Sequence, residues 1–206
     1  MSELVTPDRE FFGQDPVVLA PLLLGAVLSY DAAAGGRVAI RLSELEAYRG
    51  VGEDPGSHAF RGRTPRNAVM FGEPGHLYAY FSYGMHVCLN IVARPPGSSS
   101  GVLMRGATVV DGLDLARSRR PGVNDRDLAR GPGRLAKALG VPLDAGGSDL
   151  LAPPFTLQVE STPLHAASGP RTGVGGEGGG SRYPWRFWLP GDEGVSPYRR
   201  HKLAAE

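Results

Sequence analysis

The sequence predicts a single mixed α+β domain, and three observations lead there. The 30 glycines and 18 prolines make up nearly a quarter of the 206 residues, which argues against a mainly helical chain because both interrupt helices. Apolar residues alternate in several short runs bounded by turn residues, as half-buried strands do. No repeat of fixed period and no linker divides the chain, so one domain is expected over residues 1–206, with its core at about 15–200.

The elements follow in order. Asp15-Pro16 before VVLAPLLLG reads as an N-cap, a proline at the first helical position and an apolar helix that stops at Gly25. Gly35-Gly36 marks a turn between the strand-like runs AVLSYD and RVAIRLSELEAY. In the second run Val38, Ile40 and Leu42 alternate, and then the apolar phase jumps to Leu45 and Ala47. That slip predicts a β-bulge near Ser43 and leaves Glu44, Glu46 and Tyr48 on one face. Residues 51–75 read as a long loop, which makes them a functional candidate. HLYAYFSY and HVCLNIVAR read as two strands around Gly84-Met85, and GVLMRGATVV as a third. Residues 113–139 look mostly helical, with breaks at Pro121-Gly122 and Gly131-Pro132-Gly133. FTLQVE and WRFWL are strand-like and flank a glycine-rich loop over 169–182.

Composition excludes several classes. With Cys88 as the only cysteine there is no intrachain disulfide and no thiolate zinc cluster. The N-terminus is acidic, without a basic signal-peptide region, and the longest apolar run is too short to span a bilayer. A cytoplasmic protein is expected. The net charge of +1 excludes a protein that simply coats nucleic acid. It hides an asymmetry: residues 1–60 carry a net −5 and residues 61–206 a net +6. Twenty arginines stand against two lysines, clustered at 61–66, 117–137 and 199–202. If these clusters converge they form a phosphate-binding face; otherwise they are solvated surface.

P-loop, GxSxG, HExxH and dinucleotide fingerprints are all missing, and the five histidines lack short ligand spacing, so no metal site is expected. Cys88 lies in an alternating apolar run and reads as core rather than nucleophile. What remains is Glu46, Tyr48, His58, Tyr80, Tyr83, Asn90 and Arg105, together with Tyr78 on the face of Tyr80. Taken singly, each has a plain explanation in packing or solvation. Together, stacking aromatics, a carboxylate and arginines are the ingredients of a nucleotide-handling pocket.

The blocks LSELEAYRG, SHAFRGRTPRNAVMFGEPGHLYAYFSYGMHVCLNIV and VLMRGA resemble the alkyladenine (3-methyladenine) DNA glycosylases. LARGPGRLAKALG, GPRTGVG and PWRFWL are similar to the later motifs of that family, in the same order, so the likeness covers about residues 15–200. It implies a curved, mainly antiparallel sheet with surrounding helices and a basic groove across one face. It also implies an enzyme that flips a damaged purine out of duplex DNA and hydrolyses its N-glycosidic bond with water. By position, Glu46 matches the general base and Tyr83 the side chain that intercalates where the nucleotide was. Tyr48, His58 and Tyr80 match the residues that sandwich and orient the base. Asn90 matches the amide that crowds the 2-amino group of guanine, and Arg105 the arginine near the phosphate and the water. No cofactor and no obligatory protein partner is implied, and a monomer is expected. With no activated lysine in view, the enzyme should be monofunctional. Two rivals remain: an inactive damage-binding protein on the same scaffold, and a hydrolase of free nucleosides or carbohydrates using Glu44 and Glu46.

Overall fold

The computed structural model describes residues 3–32, 35–82 and 84–206. Strands β1 (Leu4–Val5), β2 (Val27–Asp31), β3 (Arg37–Tyr48), β4 (Leu77–Ser82), β5 (His86–Val92), β6 (Gly101–Asp111), β7 (Phe155–Glu160), β8 (Ala167–Gly169) and β9 (Arg186–Trp188) build one open sheet. Its main path runs β1-β7-β2-β3-β6-β5-β4, β9 adds to β3 and β8 to β9, and every pairing is antiparallel. Helices α1 (Arg9–Phe12), α2 (Pro16–Leu22), α3 (Leu113–Arg119) and α4 (Pro132–Leu139) complete a single mixed α+β domain. Among the described residues no helix is long and apolar enough to cross a membrane.

Asp15 caps α2 by accepting from the Val17 amide, with Pro16 in the first turn. The helix closes at Leu22 rather than at Gly25, because the turn carrying the chain into β2 starts at Leu23. Leu19, Ala20, Leu23 and Leu24 pack under the sheet with Leu28, Ile40, Leu42, Leu45, Met104 and the α4 residues Leu135 and Leu139. Each leucine buried there contributes about 2 kcal/mol. The loop over 51–75 contains one 3₁₀ turn, Ala68–Phe71, and the glycine-rich loop begins with β8 and holds a second, Glu177–Gly179. The last strand is shorter than WRFWL, running only over Arg186–Trp188. β1 and α1 left no periodic signal, being two and four residues long.

The bulge near Ser43 is present, and it has a counterpart. Leu42 opposes Ala107 and Glu44 opposes Gly106, so Ser43 is an extra residue on β3; Leu45 opposes Met104, so Arg105 is an extra residue on β6. The second slip undoes the first, and both strands change phase together. Core-facing Val38, Ile40 and Leu42 give way to Leu45 and Ala47, while Glu44, Glu46 and Tyr48 take the other face. Opposed residues on neighbouring strands share a face, so Glu46, Leu103, Asn90 and Tyr78 form one transverse row across β3, β6, β5 and β4.

The arginine cluster at 117–137 is largely turned to internal use. Arg117 pairs with Asp114 and Asp125, Arg119 donates to the Ala138 and Leu139 carbonyls, Arg120 to Asp127 and Leu128, and Arg130 to Val195. A guanidinium offers several donors in a fixed fork, so it ties off helix ends and turns that a lysine would hold with one point charge.

Candidate active site

The transverse row lies in the wall of a cavity of about 840 Å³. Glu46, Tyr48, His58, Tyr80, Asn90 and Arg105 all line it, joined by Tyr78, Arg66, Cys88, Thr172 and Arg199. The chain thus brings six of the seven residues singled out in the sequence to one place. The seventh, Tyr83, lies outside the described residues, between β4 and β5.

One wall is aromatic. Tyr78 and Tyr80, two apart on β4, stack at 5.6 Å between ring centroids with 28° between planes. His58 stands edge-on to Tyr80 at 4.6 Å, and its Nδ1 lies 3.2 Å from the Tyr78 hydroxyl. The long loop delivers His58 here because Asn67 ties it down, donating from Nδ2 to the carbonyls of His58 and Gly62. Burial, and then the nearby Arg66 charge, lowers the His58 pKa, so the ring is neutral near pH 7. Burial raises the pKa of both tyrosines and of the Cys88 thiol, so none of these groups carries a charge at neutral pH. Asn90 donates from Nδ2 to the Tyr78 carbonyl at 3.1 Å, which fixes its amide against the row.

The opposite wall is ionic. Glu46 has no solvent exposure, and three groups hold it. The Tyr48 hydroxyl donates to Oε2 at 2.9 Å, the Thr172 amide donates to Oε1 at 2.6 Å, and Arg105 Nε stands 3.5 Å from Oε1. Burial and then the Glu46 charge push the Tyr48 phenol well above its ordinary value, so it stays a donor. Arg105 reaches Glu44 as well, at 3.2 Å, but its Nε is aligned for a hydrogen bond with neither carboxylate. Burial disfavours its charge, yet Glu46 and Glu44 outweigh that and hold its pKa above the usual range. The bulge on β6 is what aims it between them. Glu44 itself does not line the cavity. It accepts from Arg186 Nε and from the Ser196 amide, and is closed off by them.

Sequence reading missed the support behind Glu46. Arg171, without exposure, grips both oxygens of the equally buried Asp54 at 2.6 Å each and donates to the carbonyls of Ala47 and Gly178. Its guanidinium also lies 4.4 Å from the centre of the Tyr48 ring. Gly178 crosses so close that a Cβ there would lie 2.4 Å from the Gly56 nitrogen. The GPRTGVG block carried this information, but nothing local pairs Arg171 with Asp54, 117 residues away.

The chain as a whole matches known proteins. The family model for methylpurine-DNA glycosylase covers residues 10–193. A protein of Leifsonia xyli is 57% identical, over 96% of this chain and 95% of its own length. Proteins of Streptomyces avermitilis (50%; 94% and 92% covered) and Nocardia farcinica (51%; 92% and 90%) are also similar. All three carry the name "Putative 3-methyladenine DNA glycosylase". With the cavity, the buried carboxylate and the aromatic wall in one fold, the chain belongs to the methylpurine-DNA glycosylase family.

Proposed function

We propose that this chain excises alkylated or deaminated purines from damaged duplex DNA, among them 3-methyladenine, 7-methylguanine, hypoxanthine and ethenoadenine. The observation that carries the reading is a fully buried carboxylate, Glu46, held by two hydrogen-bond donors and the Arg105 charge on the wall opposite a stacked aromatic pair in one cavity.

In this reading the purine leaves the duplex and enters between Tyr48, His58 and Tyr80. Flipping costs a few kcal/mol and is cheapest at damaged or mispaired bases, which supplies part of the selectivity. Water adds to the sugar C1′ as the C1′–N bond breaks, and Glu46 takes the proton that the water loses. The same carboxylate stabilises the positive charge that develops on the sugar. An N3- or N7-alkylated purine departs neutral without help, whereas hypoxanthine must gain a proton or strong hydrogen bonds. Neutral His58 positions the base rather than acting as an acid. Asn90 crowds a guanine 2-amino group, Arg105 steadies Glu46 and the water and lies near the phosphate, and Tyr83 fills the space the nucleotide vacates. The site is compatible with a monomer acting alone in the cytoplasm.

A single cavity carboxylate supports this reading over a two-carboxylate hydrolase of free nucleosides, because Glu44 is closed off by Arg186 and Ser196. An inactive binder would have no use for a buried anion where DNA phosphates approach. Single-turnover excision from duplexes bearing hypoxanthine, ethenoadenine or 3-methyladenine tests the proposal. Wild type should release base, and Glu46→Gln should be slower by at least about 10²-fold. No abasic product on any lesion overturns the function, and an unimpaired Gln variant removes Glu46 as the base.

A further inference from the structure

A flipped nucleotide brings more than one phosphate to the cavity mouth, and the charge of the inner cation is already shared with two carboxylates. Arg105 is compensated at close range by Glu44 and Glu46, and its side chain is only 12% exposed. Arg66, also in the lining, donates to the Phe81 carbonyl and lies 5.8 Å from the centre of the Tyr80 ring. Arg199 differs from both. It lines the cavity from the exposed side, and its guanidinium has no acceptor among the described residues.

Its backbone is held at several points. The Ser196 amide donates to Glu44, and Arg186 lies 5.3 Å from the centre of the Tyr198 ring. The Gly173 amide donates to the Arg199 carbonyl at 3.1 Å, the Gly176 amide to that of Leu203, and the Ala205 amide to that of Gly176. Residues 196–205 therefore form a strap across the glycine-rich loop, and a Cβ on Gly180 would lie 2.8 Å from the Ala205 carbonyl oxygen. The clip at Gly173 is one residue from Thr172, whose amide holds Glu46. A fixed backbone and an uncommitted guanidinium in the lining of the cavity that holds Glu46 suit an anion contact.

We infer that Arg199 binds a phosphate flanking the flipped nucleotide, so that the C-terminal strap is part of the substrate site. The inference rests on the glycosylase reading. Binding is measured in the Glu46→Gln background, so that substrate persists, on a duplex with one hypoxanthine. Two further duplexes carry a neutral methylphosphonate at the linkage 5′ or 3′ to the lesion. Arg199→Ala should weaken binding about tenfold, flatten the log Kd against log salt plot by about 0.9, and leave the melting temperature unchanged. Arg199→Lys should recover most of the loss. On one of the two methylphosphonate duplexes the Ala and parent proteins should bind alike. Unchanged binding, or a loss that persists in full on both neutralised duplexes, overturns the inference. Absence of excision by wild type would instead overturn the glycosylase reading itself, so the two failures are distinguishable.

Discussion

Two buried carboxylate–arginine clusters lie side by side in this molecule, and they are built differently. In Asp54–Arg171 both oxygens and the whole guanidinium fork are satisfied, neither side chain is exposed, and the pair does not line the cavity. In Glu46–Arg105 the carboxylate lines the cavity and the guanidinium is misaligned between two acids. The first has nothing left to offer a substrate. The second keeps a lone pair and a cation at the cavity, where the proposed reaction needs them. Completeness of pairing, more than burial, separates the two clusters.

The sharpest way to break that contrast is Asp54→Ala. It leaves Arg171 charged, buried and unpaired, so stability should fall by about 3–5 kcal/mol in urea unfolding. Glu46→Gln should move the urea midpoint far less, because Arg105 keeps Glu44. Equal losses in the two variants would show that both clusters are structural. Next in size is Tyr48→Phe, which removes one hydrogen bond to the Glu46 carboxylate but keeps the ring against Arg171. Excision should slow about tenfold at nearly constant melting temperature, as expected for a bond to a charged group. A large drop in melting temperature with normal excision would move Tyr48 to the scaffold side.

The smallest effect concerns pH. The unfolded chain binds the His58 proton more readily than the folded one, whose imidazole lies below the usual 6.5. Its contribution to stability is complete above about pH 6.5 and drains away as pH falls from there through the lowered folded value. Between about pH 7 and 5.5 the urea midpoint of wild type should therefore drop more than that of His58→Gln. Identical drops in both would remove His58 from the titration.

Much of this fold was legible because its signals are local. Alternation marked β2 to β7, and the jump from Leu42 to Leu45 marked the bulge that turns Glu46 toward the cavity. What stayed hidden depends on partners distant in sequence. β1 is two residues that exist as a strand only against β7. The arginines of 117–137 look like a basic surface until the carbonyls they cap are in place. Arg171 sits in a stretch that reads as loop, and only Asp54 and the Ala47 carbonyl give it a reason to be buried. The matching bulge at Arg105 has no trace in β6 alone, since GVLMRGATVV scans as an ordinary strand.

The paired slips at Ser43 and Arg105 also make the site modular. Because the second cancels the first, the ladder keeps one frame over Ile40–Leu42 and Leu45–Tyr48 on either side of the defect, and the pairing of β2 with β3 carries no record of it. Substitutions along the row Leu103, Asn90 and Tyr78 can then reshape what the cavity accepts without disturbing how β2 and β7 assemble. Deleting Ser43 alone would shift that frame through half the sheet. The lining of the cavity can change in such a protein while the architecture stands still.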